Sequence, residues 1–242
     1  MDTAIASSSA RSLTSLAFEL LRDDILRGRL APSERLRIQA LSEHYGIGAT
    51  AIREALSRLT TEGLVQAEDQ RGFMVSPVSR GELIDLTQTR SQVEQMALRL
   101  AVANGDVEWE SRVLSSAHRL SRAETQPPND ESLAVWATAH RQFHEALVAG
   151  CGSPWMMRLC RLLYDQSERY RALSVQPAKK RKRDVGAEHR ELVEAALARD
   201  ADGLCRLIDA HFRRTAELIL QSGLVEDPSA VTARPRRGNG QG

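Results

Sequence analysis

The stretch Tyr45–Gly72, YGIGATAIREALSRLTTEGLVQAEDQRG, decides the fold of the N-terminal part of this chain. Its first half carries the 3.6-residue apolar period of a helix over about Thr50–Glu62. Ile52, Leu56 and Leu59 fall on one face, while Thr50, Arg53, Ser57 and Arg58 fall on the other. Gly46 and Gly48 precede it, where two helices meeting at a steep angle need backbone freedom. After Gly63 the period changes. Leu64-Val65 and Phe73-Met74-Val75 are short β-prone runs around a polar loop ending at Arg71-Gly72, which predicts a two-stranded hairpin. Upstream, a short helix is expected over about Ile38–Tyr45. Before it lies a longer helix with Leu16, Leu20, Leu21 and Ile25 at helical spacing, stopped by Gly28. Helix, short helix, turn, helix and hairpin is the order of a winged helix-turn-helix, whose third helix lies in the major groove of DNA.

That reading nominates surface residues. On the third helix, Arg53 and Arg58 have the donor fork that pairs with a guanine edge or a phosphate, and Thr50 and Ser57 carry hydroxyls for the same surface. At the wing tip, Gly72 lets backbone approach the minor groove and Arg71 is placed to enter it. Arg35, Arg37 and Gln39, just ahead of and within the short second helix, are candidates for backbone contacts.

From Ser79 onward the pattern is helical. Helices are expected at about 80–104, 106–123, 130–149, 154–174, 184–199 and 201–222, separated by breaks such as Asn104-Gly105 and Gly150-Cys151-Gly152. Six amphipathic helices with short connections predict an antiparallel all-helical bundle. The chain therefore reads as mainly α, in four spans: an unstructured arm (1–12), the winged helix-turn-helix (13–78), the helical bundle (79–223) and a tail without apolar periodicity (224–242).

Composition narrows the function. The 242 residues carry a formal net charge of +1, so nucleic-acid binding must come from a local face rather than from bulk charge. The basic run Lys179–Arg183 reads as solvated loop charge. Three cysteines without a CxxC pair argue against a disulfide framework and for a reducing cytoplasm. No segment approaches the roughly 20 apolar residues that span a membrane, so export and membrane insertion are not expected.

Six histidines are present, and four form a constellation. His140 and His144 are four residues apart, one above the other on the apolar side of a helix that also carries Trp136, Phe143 and Leu147. His189 shares a stripe with Leu192, Val193 and Ala196, and His211 shares one with Leu204, Leu207 and Ile208. His189 and His211 lie equally far from the turn at Asp200, so an antiparallel hairpin brings them level. A single histidine on an apolar face is ordinarily a hydrogen-bonded core residue. Four that converge are costly to bury unpaired, and a divalent metal satisfies them together. An all-nitrogen set favours Zn²⁺ or Ni²⁺ over Mn²⁺ or Mg²⁺. His44 and His118 lack such partners.

Residues 30–76 resemble the GntR family of bacterial regulators through Pro32, Leu36, Leu41, Ser42, Gly46, Ile47, the run Ile52-Arg53-Glu54-Ala55-Leu56, Leu59, Gly63-Leu64-Val65 and Gly72. The resemblance implies that Arg53 touches DNA and that Gly72 is the wing glycine. One departure is Gly48-Ala49-Thr50, where family members often have Ser-Arg-Thr. From about Glu82 to Leu220 the chain resembles the FCD, FadR-like branch, through Arg90…Glu94, FHEALV, CGSPWM and EHRELVEAALARDAD. This implies a bundle metal that helps bind a small carboxylic acid effector. The family usually has Asp where this chain has His140. Details such as LVAGCGS look most like the carbon-starvation, glutarate-responsive branch. Arg90 and Arg169 are the cations expected beside a carboxylate. A helix-turn-helix reads few base pairs, so a homodimer on a palindromic double-stranded operator is expected. The chain is thus expected to be a regulator, most naturally a repressor, and not an enzyme. The alternative is a metalloenzyme with an appended DNA-binding module, against which stand the absence of HExxH, P-loop and GxGxxG motifs.

Overall fold

The computed structural model describes residues 2–69, 71–127, 129–174 and 183–225, with side chains from residue 12 onward. The elements run α1 (Asp2–Leu26), β1 (Arg35–Leu36), α2 (Ile38–Tyr45), α3 (Ala49–Thr61), β2 (Val65–Glu68), β3 (Gly72–Val75), α4 (Arg80–Asn104), α5 (Val107–Glu124), α6 (Asp130–Ala149), α7 (Pro154–Ser174), α8 (Val185–Leu197) and α9 (Ala201–Gln221). The chain forms two compact units. Among the described residues, one holds those up to Ile84 with 172–174 and 218–225, and the other holds those from Asp85 to Arg171 with 183–217.

In the first unit, Ala17, Phe18, Leu21 and Ile25 of α1 close a core with Leu41, Ile52, Leu56, Leu59, Leu64 and Val75. The buried stripe of α1 differs from the expected one. Leu16 and Leu20 are 50% and 36% exposed, because Ala17 and Phe18 complete the i, i+4 row with Leu21 and Ile25. The backbone of residues 2–12, expected as an arm, is the start of α1. That stretch, rich in Ala and Ser, contains neither Gly nor Pro to stop a helix. The tail from residue 226 lies outside the described residues, as do Lys179–Lys182 of the basic run.

The expected hairpin is present but belongs to a three-stranded antiparallel sheet in the order β1-β3-β2. Glu68 pairs with Gly72 at the tip and Val65 with Val75 at the base, while Leu36 pairs with Phe73 on the other edge. Gly46 ends α2 at φ +64°, and Gly72 takes φ +88° at the wing, both in the region that glycine enters without steric cost.

The second unit is the helical bundle. Leu98, Trp109, Val113, Leu120, Phe143, Leu147, Leu192, Leu204 and Ile208 are essentially inaccessible in its core. The indole N–H of Trp109 donates to the Ala146 carbonyl at 3.0 Å, satisfying its polar edge. Helix starts are set by short polar caps. Asp106 accepts from Trp109 N, Asn129 and Ser132 form a reciprocal capping box, and Asp184 accepts from Ala187 N.

Candidate functional site

Four helix positions build the core of the site. α6 projects His140 and His144 from consecutive turns, while α8 and α9 bring His189 and His211 to the same level, with ring centroids 5.2 Å apart. All four are buried, and the ligand atoms they offer lie within 4.8 Å of one another. The hairpin argument from Asp200 thus places this pair correctly, and Asp200 itself caps α9 through Gly203 N.

The outer nitrogens of three rings show how the cluster is held. His140 Nδ1 meets the Tyr164 hydroxyl at 2.8 Å, His189 Nδ1 meets Glu124 Oε1 at 3.0 Å, and His211 Nδ1 meets Glu188 Oε2 at 2.7 Å. This leaves Nε2 as the atom those rings offer inward. His144 Nε2 lies 3.2 Å from His140 Nε2, and the buried His189 Nε2 and His144 Nδ1 have no hydrogen-bond partner. Burial, together with neighbouring imidazoles and Arg171, holds His140 well below the ordinary imidazole range. Burial, His211 and Arg90 do the same to His144, and burial pulls His211 down to about 4 against the opposing pull of Glu188. His140, His144 and His211 are therefore neutral at pH 7, the state in which imidazole donates a lone pair.

The donor set fits a borderline divalent cation. Ligand nitrogens around tetrahedral Zn²⁺ stand about 3.4 Å apart, so atoms already within 4.8 Å need only small side-chain adjustments. On His189 and His211, an inward Nε2 with Nδ1 held by a carboxylate forms the carboxylate–histidine arrangement that supports metal ligands. Burying Nε2 of His189 without a partner is otherwise unfavourable.

Cations surround this centre. Arg90 of α4 is buried, pairs through Nε with Glu94 at 2.7 Å and lies over the rings of Phe212 (3.9 Å) and Tyr164 (5.0 Å). Its buried Nη2 has no hydrogen-bond partner. Arg169, the second expected cation, is buried and donates to Gln166 at 2.7 Å on its own helix. Arg171, two residues on, is the α7 cation whose charge bears on His140 and His144. It sits over Trp136, which stacks on His140. Sequence reasoning missed Arg171, Tyr164, Glu124 and Glu188. The one available signal was the Tyr164, Glu168, Arg171 stripe at helical spacing on α7.

On the first unit, Arg35, Arg37, Gln39, Thr50, Arg53, Ser57, Arg58, Arg71 and Gly72 are all exposed. Two are partly engaged within the unit. Gln39 donates to Glu43, and the Arg58 guanidinium lies 4.1 Å from the centre of the Phe18 ring. α3 begins at Gly48, which offers no side-chain cap.

Comparison with known proteins identifies these units. Residues 13–75 match the bacterial regulatory proteins of the gntR family, and residues 85–214 match the FCD domain. The chain is a GntR-family transcriptional regulator with an FCD domain. It is 43% identical over 222 residues to the HTH-type transcriptional regulator BphR of Paraburkholderia xenovorans, covering 90% of this chain and 89% of that one. It is 36% identical to the HTH-type transcriptional repressor GlaR of Escherichia coli, over 87% of this chain and 98% of the relative. Among solved structures, McbR/YncC of E. coli shares the fold with a TM-score of 0.73 at 22% identity, covering 87% of this chain and 98% of that one. These family members are DNA-binding regulators, which sets aside the metalloenzyme reading. Glu145, the acid beside His144, pairs instead with Arg161 at 3.2 Å. No described helix of this regulator is long and apolar enough to cross a membrane.

Proposed function

We propose that this GntR-family regulator is a cytoplasmic, homodimeric repressor whose FCD bundle holds a divalent cation, Zn²⁺ or Ni²⁺, on His140, His144, His189 and His211. A small carboxylic acid of the glutarate type binds there and releases a palindromic operator. The observation that carries the reading is the convergence of four buried imidazoles beside Arg90, whose buried Nη2 lacks a hydrogen-bond partner. A carboxylate satisfies both. One oxygen would add a fifth ligand to a cation held by the four imidazoles, and the other would accept from the guanidinium in a charge-assisted bond. Arg169, buried on the same helix as Arg171, is the second candidate cation for the acid.

Arg53, Thr50 and Ser57 on α3 read the major groove, Arg58 joins them from its seat on Phe18, and Arg71 with Gly72 enters the minor groove. Arg35, Arg37 and Gln39 hold the flanking phosphates. Dimerisation has a candidate surface on α7, where Trp155, Leu159 and Leu162 recur at i, i+4 and i+7 yet are 72%, 46% and 41% exposed. Charged substitutions there are expected to yield monomers in light scattering.

The test is metal analysis of the purified protein and of His144→Ala, followed by calorimetric titration with glutarate and by operator binding with and without the acid. We expect stoichiometric metal that the variant loses, acid binding that disappears with it, and operator affinity that falls on acid binding by about 5- to 150-fold, the usual range for allosteric coupling. Absence of metal from the wild-type protein, even after incubation with Zn²⁺ or Ni²⁺, would refute the sensor reading and leave the DNA-binding half standing.

A further inference from the structure

The outer edge of His211 carries a competition that the histidine geometry alone does not require. Its Nδ1 faces a carboxylate oxygen, Glu188 Oε2, at 2.7 Å and a guanidinium nitrogen, Arg183 Nη2, at 3.2 Å. The two demand opposite things of the ring. A carboxylate accepts only, so it calls for a proton on Nδ1 and leaves the lone pair on Nε2. A guanidinium donates only, so it calls for a lone pair on Nδ1 and places the proton on Nε2. Both rivals are charged, but the carboxylate lies at charge-assisted hydrogen-bond distance and the guanidinium does not, so the carboxylate wins.

We infer that Glu188 is a positioning residue that fixes the tautomer of His211 with its lone pair toward the cluster, and that Arg183 is the clamp which makes this assignment depend on Glu188. Arg183 grips the carboxylate at two points, Nε to Oε1 at 2.7 Å and Nη2 to Oε2 at 2.5 Å. It is itself anchored by Nη1 to Thr215 Oγ1 at 3.0 Å and by Nη2 to the His211 carbonyl at 3.2 Å. Its side chain is only 8% exposed. Although Arg183 ends a basic run that reads as solvated loop charge, it is built into the back of the centre. Remove Glu188 and the anchored guanidinium remains, now the sole polar neighbour of Nδ1 among the contacts described. The ring then flips to the Nε2–H form, which offers no lone pair inward. His189 has no such rival, since its Nδ1 meets Glu124. The consequence for metal binding rests on the function proposed above; the tautomer assignment does not.

The experiment separates the two. Long-range ¹H–¹⁵N spectra of the metal-free full-length chain report which ring nitrogen of His211 is protonated, in the wild type, Glu188→Ala, Arg183→Met and the double variant. We expect Nδ1–H in the wild type, Nε2–H in Glu188→Ala, and loss of the Nε2–H bias in the double variant. Competition of Zn²⁺ with a chromophoric chelator then reads affinity. Glu188→Ala is expected to weaken binding by about 10- to 100-fold, the usual effect of losing an outer partner, and Arg183→Met to restore part of it. A merely structural role predicts the reverse, a double variant at least as weak as the single one. Nε2–H in the wild type, an unchanged tautomer in Glu188→Ala, or no rescue by Arg183→Met overturns the inference. Tautomers that follow Glu188 in a chain that binds no Zn²⁺ uphold it and overturn only the metal reading.

Discussion

Arg53 and Arg58 lie on the same helix and are both exposed, yet their surroundings differ. Arg53 has no stacking partner among its described contacts, whereas Arg58 lies over Phe18 of α1. Arg53→Ala is expected to weaken binding to an operator selected from random-sequence DNA by about 1–3 kcal/mol without changing urea stability. If Arg53 holds a phosphate, the slope of log affinity against log salt also falls by roughly one. Arg58→Ala is expected to cost, in addition, about 0.5–1 kcal/mol in urea denaturation, the worth of an exposed cation–π contact. A stability loss in Arg53→Ala equal to that of Arg58→Ala would show that both are scaffold residues. The sequence places both arginines on the solvent face through their offset from Ile52, Leu56 and Leu59. It cannot show that Phe18, forty residues earlier, lies under one of them. The same limit explains Arg169 and Arg171. Both are basic residues on one helix, and only the packing of Trp136 on His140 reveals that Arg171 bears on the imidazoles as well.

Elements were legible where a period ran long enough to repeat. α4 to α9 each carry several turns of apolar stripe bounded by Gly, Pro, Asp or Asn, so their ends follow from the sequence within a residue or two. β1 is two residues long and cannot show an alternation, so the third strand was invisible until Leu36 met Phe73. On α1 the pattern was ambiguous because Leu13, Leu16 and Leu20 form a second apolar row beside Ala17, Phe18 and Leu21; only packing against α3 picks the buried one. The turn between α4 and α5 makes a sharper prediction. A Cβ added to Gly105 would stand 2.6 Å from the Ala101 carbonyl oxygen and 2.4 Å from the Trp109 ring. Backbone on one side and a fully buried indole on the other leave no room to yield. Gly105→Ala is expected to destabilise the bundle by about 1–3 kcal/mol, read as a lowered urea midpoint; an unchanged midpoint would mean that this turn is not packed as described. The cysteines give an independent check on the same core. Cys151, Cys160 and Cys205 are free and buried, and burial pushes the Cys160 thiol up to about 12. Cys160 should therefore resist iodoacetamide from pH 7 to 10 and react only after denaturant is added. Rapid labelling at pH 8 would contradict its burial.

At the scale of the whole molecule, the histidine centre and the DNA-facing surface belong to different compact units, so a cation bound by the first should report on one unit and not the other. The four imidazoles are a burden on the bundle when empty. All four are buried, and two ring nitrogens lack hydrogen-bond partners, so the fold holds desolvated polar atoms without recompense. A ligand that binds only the folded bundle stabilises it by RT ln(1 + [L]/Kd), about 2.7 kcal/mol at a hundredfold excess over Kd. Chelation followed by reloading with Zn²⁺ is therefore expected to raise the melting transition of the bundle by several degrees. Any separate transition of the N-terminal unit, whose core of Leu21, Ile52, Leu56 and Leu59 contains no histidine, should stay where it was. His144→Ala removes one donor and one unpaired buried nitrogen together. Its metal-free form should melt close to the metal-free wild type, and Zn²⁺ should move it little. Equal shifts in both transitions would mean that the cation acts across the whole chain, and a full shift in His144→Ala would place it away from these four residues.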